Sequence, residues 1–457
     1  LDTPFCQFGA KDSLRSICQG LLSATGNLVH LGVSSAPTKS ALSYNHENRS
    51  YELFEKFFHH IIGLYHAPKH RIGQLARIKA QIKILDSTTI SLCIKVFDWA
   101  RYRKTKGEIK MHTLIDYDFI HRYFYLCLMS YLNRRPRRNR ISQAVRNLAE
   151  ETTLLPQNLV FPLFLLPGEN KKEAISSMPG ISRLSLDLLL KEVEQCMKMG
   201  VQAFDVFPCV PDELKNQTAT YSYAEDNFYL DALSQIKQRF PESWLMTDVA
   251  MDPYSSDGHD GLVENGHIVN DKTLEILGKM AIAQAQAGAD VLGPSDMMDG
   301  RVGFLRETLD KAGFTQVSIM SYTAKYASGF YGPFREALNS APKFGDKKTY
   351  QMNPANVKEA LLEAQLDFDE GADMMMVKPA MCYLDVIKTL ADQFPIPIAA
   401  YQVSGEFSML HAAAQNGWLD LERVMVESLT SIRRAGAQVI LSYFAKDYAR
   451  WYKTTRS

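Results

Sequence analysis

From Leu159 onward the chain repeats one pattern: an apolar strand, a loop, an amphipathic helix, often a glycine, then a strand again. The strand candidates are VFPLFLL (160–166), AFDVFP (203–208), WLMTDVAM (244–251), ADVLGP (289–294), VSIMSYTA (317–324), ADMMMVKP (372–379), PIAAYQV (397–403) and QVILSYF (438–444). Strands that are apolar nearly throughout are buried on both faces, as in a parallel sheet covered by helices. YLDALSQIKQRF, KTLEILGKMAIAQAQAG, NVKEALLEAQLDFDEG and RVMVESLTSIRRAG supply helices between them. Glycines 200, 288, 371 and 436 stand where a helix hands over to a strand. Eight strands alternating with helices predict an α/β chain forming a (β/α)8 TIM barrel over 159–457, in preference to an open doubly wound sheet. No GxGxxG follows the first strand, which weakens a dinucleotide-binding reading.

The 457 residues leave room for one large domain and something smaller. Lys+Arg and Asp+Glu both number 51, so net charge draws the chain neither to nucleic acid nor to a membrane. The seven cysteines (6, 18, 93, 127, 196, 209, 382) are odd in number and form no CxxC pair. That pattern predicts a reducing compartment and excludes a cysteine zinc site. The opening, from Leu1, has no signal-peptide pattern, and the apolar run Phe119–Leu132 is too short to span a bilayer. A cytoplasmic protein is expected.

Residues 1–118 differ in character. Basic and aromatic patches (YELFEKFFHHIIGLYH, 51–66) precede a strand-like KILDSTTISLC (83–93) and the cation-rich FDWARYRKTKGEIKMHTLIDYD (97–118). This segment resembles the front part of a DDE-type insertion-sequence transposase, with Asp86 of LDSTTI at the first carboxylate. Such sites need further carboxylates to hold two metal ions, and Asp116 is not in the second-carboxylate motif. The expectation is a truncated, mainly helical remnant without transposition chemistry and without residual DNA binding. A strand such as 83–93 would lack partners there. Residues 119–130 form a junction, and 131–158, containing RRPRRNR, an extended arm with a short helix.

Two lysines carry the chemistry of the barrel. Lys378, in GADMMMVKPAMCY (371–383), sits at the carboxyl end of a strand that Pro379 terminates. Lys325, in MSYTAKYASGFYGPFR (320–335), ends the preceding strand. Alone, either is a snorkelling surface residue or a desolvated amine. Two such lysines facing one pocket disfavour each other's ammonium form, which makes an amine nucleophilic toward a carbonyl and able to form Schiff bases. The other strand ends carry Asp248, Asp252, Ser295, Asp296, Ser404 and Tyr443.

Residues 131–457 resemble porphobilinogen synthase (5-aminolevulinate dehydratase). The two lysine motifs, SDMMDGRV (295–302), TYQMNPAN (349–356) and YQVSGEF (401–407) carry the resemblance. It implies condensation of two 5-aminolevulinate molecules to porphobilinogen with loss of two waters. It further implies that Lys378 forms the Schiff base on the propionate side and Lys325 that on the acetate side. Ser404 and Tyr443 would hold one carboxylate; Phe334, Arg335, Lys347 and Gln351, on a lid over 331–352, would bind the other substrate. Lys347 stands where many relatives have arginine, exchanging a bidentate clamp for a point charge. Asp248 and Ser295 would bind an amino group, and Asp296, Asp260 or a free lysine would move protons.

Zinc-dependent members of that family place three cysteines where DVAMDPYSSDGHDG (248–261) has Ala250, Asp252 and Asp260. Alanine cannot ligate and carboxylates prefer hard cations, so no catalytic Zn2+ is expected. Asp252 and Asp260 are candidates for an active-site cation, and Glu363 matches the family's outer, allosteric Mg2+ site. His259 and His267 are expected to be structural. The resemblance also implies a homo-octamer built from dimers embraced by the arm.

Two other readings remain open at this point. A class I aldolase-type barrel would use one Schiff-base lysine, against which the second lysine and the lack of an evident phosphate site argue. A DNA-binding or interaction protein with a degenerate barrel is opposed by the full set of polar strand ends.

Overall fold

Eight parallel strands close on themselves, because the last returns to pair with the first. In the computed structural model they are β1 (Leu159–Leu166), β2 (Ala203–Pro208), β3 (Trp244–Val249), β4 (Val291–Pro294), β5 (Ser318–Lys325), β6 (Met374–Lys378), β7 (Ile398–Gln402) and β8 (Val439–Ser442). Each pairs with its neighbour in chain order, and Ile440 and Leu441 of β8 lie opposite Leu159 and Val160 of β1. The described residues are 135–338, 342–343 and 345–455, the strands at 83–92, 101–103 and 106–116, and four isolated positions before residue 61.

Among the described residues ten α-helices follow the first strand; Gly332–Leu338 lies over the mouth, and the others give the sheet's outer face something to bury against as the barrel closes. The ten are α1 (Leu186–Lys198), α2 (Phe228–Arg239), α3 (Asn270–Gln286), α4 (Arg301–Lys311), α5 (Gly332–Leu338), α6 (Lys358–Asp369), α7 (Leu384–Gln393), α8 (Ser404–Gln415), α9 (Leu421–Ala435) and α10 (Ala445–Thr455). In α9 the buried Met425, Ser428, Leu429 and Ile432 recur every three or four residues, the stripe of a helix with one face on a core. Asp420 caps that helix, accepting from the Arg423 amide at 2.9 Å. Gly288 and Gly371 follow α3 and α6 at φ +101° and +96°, so the helix-to-strand turns do fall on glycines that can adopt them.

Several boundaries differ from the expected ones. The third strand stops at Val249, leaving Asp252 and Asp260 in the loop beyond it, and Ser404 is the first residue of α8 rather than a strand end. Two short strands, Lys172–Ala174 and Ser182–Ser185, extend the sheet alongside β1; their mixed composition hid them. In the arm, a 3-10 turn (Pro136–Arg140) precedes the helix Gln143–Leu148, which Ser142 caps.

The chain divides into two compact units, Leu1–Arg138 and Asn139–Ser457. In the first, Lys83–Leu92 pairs antiparallel with Lys106–Asp116 along its whole length, and Arg101–Arg103 pairs with the latter strand too. The expectation that the 83–93 strand lacks partners is therefore corrected: a chain reversal supplies one locally. Most of the remaining 1–134, and with it the expected helical character and the 119–130 junction, lies outside the described residues.

Candidate active site

Lys325 and Lys378 are register partners at the carboxyl ends of β5 and β6. Their neighbourhood depends on an irregularity in β5. Ser321 lies opposite Met375 and Ala324 opposite Val377, so β5 carries one extra residue between those pairs. Without that bulge Lys325 would face Pro379 and its side chain would leave by the other face of the sheet. With it, both lysines enter the barrel mouth, each 6% exposed.

Their surroundings then diverge. The Lys378 ammonium is ringed by aromatic faces: its Nζ lies 4.6 Å from the ring centre of Tyr401, 4.9 Å from Tyr322, 5.0 Å from Phe334 and 5.5 Å from Tyr331. Such faces attract a cation but offer it no acceptor. Burial and the nearby Lys325 charge lower its pKa to about 8, so a useful fraction is free amine near neutrality. Lys325 instead donates to Asp260 at 3.2 Å and to the Ser295 carbonyl. One lysine is thus poised as a nucleophile while its neighbour is held by a carboxylate.

The repulsion between them is testable. Replacing Lys325 by methionine is expected to raise the Lys378 pKa above about 8, with burial still holding it below an ordinary lysine. Because the free amine reacts, the pH midpoint for borohydride trapping of a ketone at Lys378 should move upward. A midpoint that stays or falls contradicts the repulsion.

Asp248 accepts from Ser295 Oγ at 2.8 Å, bringing together the pair expected to bind an amino group. Burial pushes its carboxyl up to about 6 against the pull of both lysines. Asp296 is equally buried and also raised to about 6 by burial, but it faces elsewhere. It accepts from the Met298 amide at 2.7 Å and lies 4.0 Å from the Arg301 guanidinium, making no bond to either lysine. Of the expected proton-moving carboxylates, Asp260 is therefore the one in contact with a strand-end lysine.

Lys347 reaches Asp252 at 3.2 Å and Asp260 at 2.7 Å. Burial disfavours its ammonium, yet the two carboxylates outweigh this and hold its pKa above the ordinary value. Burial alone would raise the Asp260 carboxyl, but Lys325 and Lys347 together hold it well below the usual range. Asp252 is raised by burial, only partly offset by Lys347. Ammonium groups thus fill the positions between the two aspartates where a metal was considered, a poor fit for a further cation.

The rest of the lid packs over Lys378. Phe334 stands edge-on to Phe207 at 5.1 Å, and its amide donates to Ser404 Oγ at 3.0 Å. Tyr443 Oη lies 3.0 Å from Tyr401 Oη. Gly405 is what lets α8 approach: a Cβ there would lie 2.4 Å from the Phe330 carbonyl oxygen. Arg335, on α5, has no ion-pair partner among the described residues, and Gln351 is buried beneath the far end of the lid.

Gln351 and Glu363 line a cavity of about 750 Å³ together with Asp299 and Glu359. Burial raises the Glu363 carboxyl, with Arg301 pulling the other way. An acidic wall on a cavity with room for many waters fits a hydrated hard cation held by few direct ligands. His259 bonds Tyr350 Oη at 3.1 Å and His267 is exposed. Among the described residues no three His, Cys, Asp or Glu side chains gather as a ligand set.

Sequence reasoning missed the ring cage and Glu406. Glu406 sits inside YQVSGEF, and its carboxylate accepts from the amides of Met381 at 2.6 Å, Val403 at 2.8 Å and Ala380 at 3.4 Å. It thereby ties the turn after Lys378 to the start of α8. E406A leaves those amides without acceptors and is expected to cost roughly 3 kcal/mol in urea unfolding. A loss under about 1 kcal/mol would show the tie to be dispensable.

The chain is similar to known proteins. The family description Delta-aminolevulinic acid dehydratase matches residues 133–451. The chain is 57% identical over 319 residues to the chloroplastic delta-aminolevulinic acid dehydratase of Physcomitrium patens, covering 69% of this chain and 74% of that one. It is 52% identical to the Chlamydia pneumoniae enzyme of that name, covering 69% and 95%. The crystal structure of the Toxoplasma gondii delta-aminolevulinic acid dehydratase, in complex with the reaction product porphobilinogen, superposes with a TM-score of 0.69 at 50% identity, covering 72% and 92%. With its lysine pair and these likenesses extending through the whole barrel, the chain belongs to the delta-aminolevulinic acid dehydratase family.

Proposed function

We infer that this chain is a lyase that condenses two molecules of 5-aminolevulinate into the pyrrole porphobilinogen, releasing two waters, in tetrapyrrole (heme) biosynthesis. The observation that carries the reading is the pair of buried, register-matched lysines, one desolvated among rings and one held on Asp260. A free amine at Lys378 attacks the ketone of one substrate and loses water to give an iminium; Lys325 does the same to the second. We assign the carboxylate of the first to Ser404 and Tyr443, and that of the second to Arg335, Lys347 and Gln351, with Phe334 closing over Lys378. Asp248 and Ser295 orient an amino group, and Asp260, whose carboxylate stays ionised, holds the Lys325 nitrogen and steadies the positive charge of the iminium formed on it. Lid closure removes water from two cationic intermediates and strengthens each of these contacts.

Borohydride reduction in the presence of 5-aminolevulinate, with peptide mass mapping, tests the reading. Adducts on Lys378 and Lys325 are expected, and a folded enzyme that gives neither would overturn it.

For the cation we propose Mg2+ at Glu363 as an allosteric activator and no catalytic Zn2+, supported by the acidic cavity wall and by the aspartates at 252 and 260. Stimulation by Mg2+ after chelation, and no response to Zn2+, is the outcome to look for. For assembly we propose a homo-octamer built from dimers embraced through the arm at 131–158, where Ile141 and Leu148 are 76% and 88% exposed. Light scattering on the full chain and on 129–457 tests it. The same comparison shows whether 1–118, proposed as an incomplete transposase-like remnant preceding the 159–457 barrel, alters assembly. The cysteine pattern supports a reducing compartment, which we take to be the cytoplasm; cell fractionation decides it.

A further inference from the structure

A side chain three residues beyond an inward-facing one should point outward, because strand neighbours alternate. Tyr322 faces inward, its ring centre 4.9 Å from Lys378 Nζ and 5.9 Å from Lys325 Nζ. Lys325 nevertheless faces inward too, donating to Asp260 at 3.2 Å. The bulge accounts for this, since Tyr322 and Thr323 stand where β6 has only Met376. An extra residue takes backbone groups out of the ladder, and something must hold them. β4 does not, because it pairs with β5 only at Ser318 and Ile319.

The holder is Arg301, the first residue of α4 and only 2% exposed. One of its guanidinium nitrogens donates to Ser321 Oγ at 3.1 Å and to the Tyr322 carbonyl at 3.3 Å, at the point where the register breaks. The same nitrogen lies 3.5 Å from Asp367 Oδ2, and Ser321 Oγ donates to that oxygen at 2.6 Å. A second nitrogen donates to the Met298 carbonyl at 3.1 Å, and the third lies 4.0 Å from Asp296. The guanidinium therefore ties three elements together: the loop after β4, the bulge in β5, and α6. That loop bears on the lysine as well, for its Ser295 carbonyl accepts from Lys325 Nζ.

An ion pair buried this deeply costs desolvation, and apolar residues of similar volume often stabilise a core as well or better. The best-attested use of such a pair is to fix one register against another. Here the competing register is specific. Without the extra residue Lys325 would lie opposite Pro379 and emerge on the face that Ser321 presents to α6.

We propose that Arg301, with Asp367 and Ser321, is the brace that keeps the bulge in β5 and thereby holds Lys325 in the barrel mouth. This rests on the Schiff-base reading above. Arg301 bonds neither lysine, so it is a positioning residue, and it acts on one amine of the two. Lys378 ends β6, which pairs with β7 in unbroken register from Met375 to Val377 and needs no such support. The two lysines should therefore respond differently when the brace is removed, which a general loosening of the core would not produce.

The test compares adduct yields at the two lysines. The full chain is incubated with 5-aminolevulinate and reduced with borohydride, and the adducts on Lys325 and Lys378 are quantified by peptide mapping. R301M/D367L exchanges the ion pair for apolar side chains, a replacement that buried pairs commonly tolerate. Its Lys378 adduct is expected at the wild-type yield and its Lys325 adduct at about a tenth of it or less. S321A removes one hydroxyl from the brace and should shift the ratio in the same direction by about threefold. A wild-type ratio in folded R301M/D367L, or yields that fall equally at both lysines, overturns the proposal. Should the double variant not fold, S321A alone decides by the same criteria. A wild-type enzyme that gives a Lys378 adduct and none on Lys325 overturns the brace and leaves the first Schiff base standing. One that gives neither adduct removes the Schiff-base reading, and this proposal with it.

Discussion

K378M is expected to lower kcat/KM for porphobilinogen formation by at least about 10⁴-fold while leaving the barrel folded. The loss is large because no other amine reaches the same place. Lys325 is drawn to Asp260 at 3.2 Å and to the Ser295 carbonyl, on the far side of the bulge's new alignment. The fold should survive because methionine keeps most of the volume among Tyr322, Tyr331, Phe334 and Tyr401 and removes a buried cation that has no ion-pair partner among the described residues. Thermal unfolding should therefore show an unchanged or higher midpoint beside the lost turnover. Activity within tenfold of wild type would place the essential amine elsewhere.

K347M is expected to undock the distal half of the lid and to lower kcat/KM by roughly 10²-fold or more. Lys347, Asp252 and Asp260 have side chains only 7%, 11% and 1% exposed, so solvent does little to screen them. Removing the ammonium leaves two carboxylates facing each other with only Lys325 nearby, a change of the kind that costs about 3–5 kcal/mol. The end of this segment stays anchored by the Met352 bridge to Tyr326 and by Tyr350 on His259, so the cost falls on the stretch around Lys347 and is met by local lid opening rather than by unfolding of the barrel. Faster proteolysis within the lid at an unchanged melting temperature is the measurement. The pH dependence has a definite sign. The raised Lys347 pKa means that its contribution is fully present below an ordinary lysine's pKa and is lost as pH rises through the folded value. The depressed Asp260 pKa means that its contribution is present above an ordinary aspartate's pKa and is lost as pH falls through the folded value. Above the raised Asp252 pKa and below the lysine limit, lid docking should be flat. A lid that opens near neutral pH in wild type would rule this pairing out as its latch.

Much of this molecule was legible before any coordinate. Apolar strands of four to eight residues separated by helix-length stripes specify a covered parallel sheet, because only such a sheet buries both faces of a strand. Lys325 and Lys378 could be placed at strand ends because a strand's end is marked locally, by Pro379 in one case and by the break after TAK in the other. The hydrogen bonding of Asp248 to Ser295 was legible only as shared membership of the mouth.

Other features were invisible for physical reasons. The ring cage draws on β5, β6, β7 and the lid, so its members lie far apart in the chain, and each tyrosine alone is indistinguishable from ordinary core. Glu406 reads as a helix N-terminal carboxylate until its distant partners, the amides of Ala380 and Met381, are seen. Lys347 was legible as a cation for a substrate carboxylate. That it rests on Asp252 and Asp260 depends on the loop after β3 and the lid meeting in space.

By itself, the sequence determined the barrel, its helices and the two lysines at its strand ends, because these follow from periodicity and from residue chemistry within a short window. Only the tertiary structure decided which way those lysines point. A single extra residue in β5 reverses the face on which Lys325 emerges, and neither hydrophobic pattern nor motif records it. Register is set by pairing with β4 and β6 and by closure of the ring through β1 and β8, a constraint that exists only when all eight strands are in place.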